Sequence, residues 1–379
     1  KRLGIDEFRR LVREERQELR PDPRWTAFLE KLNDGDERPL RAPEALPAQV
    51  AAAAGAAFEQ WRADNVRAQK QPGYCTATVS LPLGDLTSHQ ARAVASIARQ
   101  FTGDTLRTTV DQNLLFRWVS EADLPAVHAA LAQVGLCDGG AGTIADVTSC
   151  PGTDTCKLGI SSSRGLSAEL RRRLRVVEAP AARELHVKCS GCYNSCAQHH
   201  VADIGFLGVS RVVNGRRVPH FQLVVGGQWT ENAGAYGLAI GAVPSKNVPK
   251  LVDALVARYT AERAPGDGFR AWVLRVGKKE IRAMVDAHAN VPAYDVDPSY
   301  YSDFGDPREY TIGDIGEGEC AGAVVSYLEM GLAASEREVF EAQLLLDQGD
   351  AAGAAGRALS AMLQAARALA REKSPNVSE

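Results

Sequence analysis

Apolar residues recur along the chain with two different periods. Over residues 3–19, Leu3, Phe8, Leu11 and Val12 share one side of a 3.6-residue repeat with Arg and Glu outside it, which predicts an amphipathic helix. Residues 20–48 interrupt the pattern with five prolines among many charges and read as a linker. Ala51–Val66, Ala-rich with Phe58 and Trp61, is helical again. The period then shortens. Tyr74–Leu83 alternates and is rich in Thr and Val, so it predicts a strand. Thr87 is placed to cap a helix running to about Phe101. Leu106–Val110 and Leu114–Val119 read as short strands about Asp111-Gln112-Asn113, and Leu124–Val134 as a helix. The order β-α-β-β-α is that of a ferredoxin-like half-sandwich, an order found in many folds with no shared function.

Residues 138–165 are rich in Gly, Ser and Thr, and a basic helix follows over Leu166–Leu174. Leu185–Val187 predicts a short strand. Ile204–Val213 and Val218–Val225 predict a hairpin turning at Asn214-Gly215. Val248–Arg263 is an amphipathic helix, and after a Pro-Gly-Asp-Gly break another helix runs to about His288. Residues 289–319 read as an irregular connection. Residues 320–373 read as helical, in three apolar stripes broken near Ala333–Ser335 and Gln348–Gly349.

Composition changes this picture little. The 379 residues are 45% hydrophobic and 24% charged, enough for sizeable cores and for two or three domains. Forty-four basic and 47 acidic residues leave a net charge of −3, which argues against a general nucleic-acid or anionic-membrane binder. No apolar run approaches the roughly 20 residues of a membrane span. The opening KRLGIDEFRR lacks an initiator Met and the apolar core of a signal peptide. The expectation is a soluble cytoplasmic chain, and one that continues a longer polypeptide.

The cysteines carry the chemistry. Eight in 379 residues are too few for a disulfide-stapled scaffold. Cys75, Cys137 and Cys320 stand alone, whereas Cys150, Cys156, Cys189, Cys192 and Cys196 are clustered. Cys150-Pro-Gly-Thr-Asp-Thr-Cys156 is C-x5-C and Cys192-Tyr-Asn-Ser-Cys196 is C-x3-C. Soft thiolates suit an iron–sulfur cluster, zinc or Cu(I). Zinc knuckles use tighter pairs, and the wider loop suits a bulkier inorganic cube, with Pro151 and Gly152 to turn the chain and Thr153 and Thr155 to donate to cluster sulfurs. A zinc site, or four unrelated buried thiols, are the alternatives. Cys189 offers a third candidate for two positions in the second group, and a buried strand-end thiol is the favoured reading for it.

At these residues the chain resembles a known family. TSCPGTDTCKLGISSSRGL (148–166) and SGCYNSCAQHHVADIGFLG (190–208) are similar to the sirohaem- and [4Fe–4S]-binding signature of the nitrite/sulfite reductases. The resemblance implies that Cys150, Cys156, Cys192 and Cys196 hold the cluster and that the Cys196 thiolate also ligates the sirohaem iron, coupling the two centres. It extends to residues 73–136, with Arg107-Thr108-Thr109-x-x-Gln112-Asn113 in its usual place, and to Asn194, which matches a residue near the haem. It implies an α+β fold: a helical segment and linker (1–72), a ferredoxin-like half-repeat (73–136), an α/β sirohaem/iron–sulfur domain (137–290), and a connection with an all-helical C-terminal segment (291–379). Tyr193 stands where the family usually has Pro, which leaves the local backbone less fixed. The family's first haem-contacting domain, with its substrate-binding Arg and Lys residues, has no counterpart in these residues.

The implied reaction is the six-electron reduction of nitrite to ammonia or of sulfite to sulfide. Ser195 and Gln198 resemble the nitrite reductases. No nicotinamide or flavin fingerprint is present, so electrons would come from ferredoxin or a flavoprotein. A non-catalytic iron–sulfur carrier is the rival from another class. Sirohaem carboxylates call for Arg and Lys; Arg107 is the first candidate for cofactor contact, ahead of Arg117, Lys157, Arg164 and Lys188. Gln112 is placed with the cofactor-binding residues. His199 and His200, being adjacent, are expected to point apart and to pack or face solvent.

Overall fold

The computed structural model describes residues 4–20, 22–27, 39–103, 105–228, 234–311 and 327–373. Helix α1 (Ile5–Glu18) buries none of its residues. Helix α2 (Ala48–Asn65) is kinked at Gly55, where φ is +85°, and buries Phe58 and Trp61. It leads into an antiparallel sheet, order β1-β2-β4-β3, formed by β1 (Val66–Ala68), β2 (Tyr74–Val79), β3 (Arg107–Thr108) and β4 (Leu114–Ser120). Helix α3 (Ser88–Phe101) starts at a full capping box, with Thr87 Oγ1 accepting from the Gln90 backbone. Val94, Ile97 and Phe101 of α3, Leu124, Val127 and Leu131 of α4 (Leu124–Ala132), Phe58, Trp61 and Phe116 form one core.

The second core lies on a mixed sheet, order β5-β6-β7-β8-β9: β5 (Thr148–Ser149), β6 (Val187–Ser190), β7 (Ile204–Val213), β8 (Arg216–Val225) and β9 (Leu238–Pro244). Strands β5, β6 and β7 run parallel, and β7, β8 and β9 antiparallel. Leu166, Leu170 and Leu174 on α5 (Ser163–Leu174) and Leu251, Val252 and Leu255 on α7 (Val248–Glu262) cover it; a single turn, α6 (Pro180–Arg183), stands between.

Several elements depart from the sequence pattern. Strand β2 ends at Val79, before a turn at Pro82–Gly84. The strand near residue 186 sits two residues later than its apolar residues suggested. Strand β9 was not foreseen, because Gly and Ala dilute its alternation. The helix expected to reach His288 is two, α8 (Phe269–Val276) and α9 (Lys278–Ala287), parted at Gly277 with φ +84°. At the C-terminal side, α10 (Tyr327–Asp347) runs through Ala333–Ser335 without the expected break. Its small residues serve the contact with α11 (Ala351–Lys373) instead: a Cβ on Gly331 would lie 2.4 Å from Ala368 Cβ, and Ser335 Oγ donates to Ala361 O at 2.8 Å. Cys320 lies outside the described residues.

The two cores are joined by a buried polar seam. Asn113 accepts from Leu81 N at 2.8 Å and donates to Asp146 at 2.8 Å. Asp146 also receives Arg171 at 3.1 Å, and Arg171 reaches Ser80 Oγ at 3.3 Å. Lys188, only 1% exposed, pairs with Asp111 at 2.9 Å. The turn read as Asp111-Gln112-Asn113 is thus the plug that inserts one core into the other.

Candidate cluster-binding site

The first cysteine loop leaves the end of β5. Cys150 is buried; its N–H donates to Cys189 O at 3.2 Å, and its Sγ accepts the Gly191 N–H at 3.0 Å and lies 3.3 Å from Ser163 Oγ. The chain turns through Gly152, φ +56°, and Cys156 N–H closes onto Gly152 O at 3.0 Å. Ile160 and Ser161 both donate their N–H to Gly191 O, at 2.9 and 3.1 Å. Gly191 immediately precedes Cys192. The two cysteine loops are therefore bonded to each other through backbone.

Three glycines make that approach sterically feasible. A Cβ at Gly191 would meet Gly152 Cα at 2.7 Å, one at Gly159 would meet Gly152 C at 2.7 Å, and one at Gly208 would meet Gly191 O at 2.2 Å. Any side chain there would separate the loops. The glycines were visible in the sequence, but nothing in it showed that they face one another.

The second loop exposes its far end. Cys192 is buried, Tyr193 is 73% exposed, Asn194 is half-buried and Cys196 is exposed. Ser195 and Gln198 take left-handed backbone, φ +61° and +62°. The loop tolerates this strain because it is pinned. Ser195 Oγ bonds to His200 Nδ1, Ser190 Oγ receives Ala197 N–H at 3.3 Å, and His199 Nδ1 lies 2.9 Å from Ser190 Oγ. The two histidines do not point apart. They lie in a 3₁₀ turn (His199–Val201) and stack at 4.2 Å between centroids. Burial, with His200 beside it, pushes His199 down to about 4, so the ring is a neutral brace for the loop near pH 7.

Among the described residues, no three His, Cys, Asp or Glu side chains are gathered at metal-binding distance. What the fold gathers is the pair of loops that carry the thiols. Cys189 is 0% exposed, and burial pushes its thiol up to about 12. A thiol that resists ionisation is a poor ligand, in keeping with its reading as a packed strand thiol.

The other expected site residues fall in different places. Gln112, at φ +64°, spends both ends of its amide on Ser149, donating to its O at 2.6 Å and accepting its N–H at 3.0 Å. It therefore clamps the backbone beside Cys150. Arg107 is exposed on the edge strand β3, opposite Leu115. Lys188 is no surface charge but the buried partner of Asp111. Arg164 is paired with Asp154 at 2.9 Å and with Asp85. Arg117 lies over the Trp118 ring, 5.6 Å from its centroid. Lys157 is exposed near Cys156. No described helix is long and apolar enough to cross a membrane.

Comparisons with known proteins meet this geometry. Residues 67–134 match the family model described as the nitrite/sulfite reductase ferredoxin-like half domain. Residues 140–293 match the one described as the nitrite and sulphite reductase 4Fe-4S domain. A sulfite reductase [ferredoxin] of Mycolicibacterium paratuberculosis is 31% identical over 228 residues, 58% of this chain and 41% of that protein. A ferredoxin–nitrite reductase of Synechococcus elongatus is 27% identical over 222 residues, 58% of this chain and 43% of that protein. The structure of the NirA protein of Mycobacterium tuberculosis aligns with a TM-score of 0.51 at 28% identity, over 58% of this chain and 41% of that one. The chain thus spans about two fifths of the length of the curated relatives it matches. The first matched model spans the four-stranded sheet with α3 and α4, apart from the start of β1, the second spans the mixed sheet, and both cysteine loops fall within the second; the chain belongs to the nitrite/sulfite reductase family.

Proposed function

We propose that this chain forms the cluster-carrying part of a sirohaem- and [4Fe–4S]-dependent reductase, with Cys150, Cys156, Cys192 and Cys196 as the cluster ligands. The observation that carries this reading is the interlock of the two cysteine loops across Gly152, Gly159 and Gly191. The donor set fits: four thiols, one already accepting a backbone N–H as cluster-ligating sulfurs do. Ligand thiols that close only around their metal are a common coupling of binding to local order.

The exposed Cys196 is the thiol suited to meet a second, bulky group, and it is the proposed sirohaem ligand. Asn194 and Arg107 are proposed to contact the haem periphery, and Gln112 to position the Cys150 loop. When bound, the two cofactors supply single-electron storage and an iron that takes up the substrate anion. The protein's part is to fix the loops, to exclude water from Cys150 and Cys192, and to keep His199 neutral beside them.

The proposed reaction is six-electron reduction of nitrite to ammonia, with electrons from ferredoxin or a flavoprotein in the cytoplasm, where thiols stay reduced. Ser195 and Gln198 support nitrite. The sulfite reductase relative at 31% identity supports sulfite as the second reading. The test is a visible spectrum with iron and acid-labile sulfide counts on anaerobically purified protein, followed by turnover of each anion with reduced ferredoxin. Cluster and sirohaem absorbance with ammonia formed from nitrite supports the proposal. Cluster absorbance alone selects a non-catalytic carrier, and zinc without iron overturns the assignment.

A further inference from the structure

The first cysteine loop is held from outside by a segment beyond the residues that the 4Fe-4S family model matches, which end at 293. Residues 297–311 contain a short 3₁₀ turn (Pro298–Tyr301) and otherwise no regular structure. They are nonetheless tied firmly to the loop. One Asp303 oxygen accepts the Ser162 N–H at 2.6 Å; the other accepts Ser245 Oγ at 3.0 Å and the Phe304 N–H at 2.9 Å. Lys246 donates to Asp303 O at 3.2 Å and lies 4.3 Å from the Phe304 ring centroid. Tyr310 OH donates to Ile160 O at 2.5 Å. The helix that follows the loop leaves no slack, since a Cβ on Gly165 would lie 2.2 Å from Phe304 O.

Both polar anchors act on loop backbone, at Ile160 and Ser162, within six residues of Cys156. Between strap and loop is a cavity of about 300 Å³, with Thr153, Cys156, Lys157, Tyr310 and Thr311 among its walls. A carboxylate only 6% exposed is costly to bury without donors. Here the donors are supplied by the loop it restrains, by the adjoining Ser245 and by the strap's own Phe304 N–H.

We propose that residues 297–311 are a latch that positions the Cys156 end of the loop, with Asp303 and Tyr310 as positioning residues, and that the latch sets how readily small reagents reach the Cys156 sulfur. The latch is a property of the bare chain. Its consequence for cluster retention rests on the reading of Cys156 as a ligand.

The test uses Tyr310→Phe, which keeps the ring and removes one hydroxyl, and Asp303→Asn. In metal-free reduced protein, alkylation of Cys156 by iodoacetamide is followed by peptide mass spectrometry, with the remote Cys137 as internal reference. The expected result is a rise of roughly fivefold at Cys156 with Cys137 unchanged, the change that one ordinary hydrogen bond controls. Iron loss to a chelator from reconstituted protein should accelerate in parallel. An unchanged Cys156 rate in Tyr310→Phe overturns the latch, as does an equal rise at Cys137. Should Asp303→Asn fail to fold, Tyr310→Phe decides alone. Faster alkylation in a protein that takes up no iron leaves the latch standing and removes the cluster reading.

Discussion

Cys189 and Cys192 stand three positions apart, but Cys189 is sealed in a strand between two others whereas Cys192 lies in the loop that follows. Replacing Cys189 by Ala should leave iron and sulfide counts unchanged and cost about 1 kcal/mol of stability. Replacing Cys150 or Cys192 by Ala should reduce both counts to background in anaerobically purified protein. His199 gives a second prediction at this scale. Its folded value, about 4, lies below the ordinary 6.5, so the unfolded chain takes up the proton first. The stability contributed by the neutral ring is whole above about 6.5 and is lost as pH falls through about 4. Burial lowers His220 as well, with the same sign. The melting temperature of metal-free protein should therefore fall over this window. His199→Gln should flatten the slope by about one proton.

At the scale of elements, the contact between the two cores depends on the turn between β3 and β4. It supplies Asp111 to Lys188, Gln112 to Ser149 and Asn113 to Asp146. Lys188→Ala strands a carboxylate at the seam and should cost about 3 kcal/mol in urea denaturation. The double change Lys188→Met with Asp111→Leu should recover much of that loss, because the desolvated charges leave together. The glycine contacts make a steric prediction. Gly208→Ala places a methyl against the Gly191 carbonyl and should abolish iron uptake, whereas Gly268→Ala, at φ −75° with nothing within 4 Å to strike, should leave it intact.

For the whole molecule, no described residue of the C-terminal hairpin belongs to either core. Its seam is alanine, with Ala354, Ala361 and Ala368 buried at seven-residue intervals, and none of these belongs to either core. A chain ending after Thr311 keeps the strap and loses the hairpin. It should melt at the same temperature as the full chain and retain the same iron content, as read by circular dichroism and metal analysis. A drop of several degrees would show that the hairpin supports the cores.

Local chemistry was enough to specify much of this protein. Thr87 and Gln90 three residues apart form a capping box wherever they meet a helix start, and Asn214-Gly215 turns a hairpin because both residues accept positive φ. The two cysteine spacings were likewise legible, since ligand loops are written in consecutive residues. What the sequence could not hold was any relation between distant positions. That Gly191 fits against Gly152, that Lys188 reaches Asp111, and that Asp303 anchors Ser162 depend on separations of 39 to 141 residues. Each such contact exists only once helices and sheets have packed and fixed which backbone groups face one another, so composition and periodicity gave Asp303 the look of a residue in an idle connection.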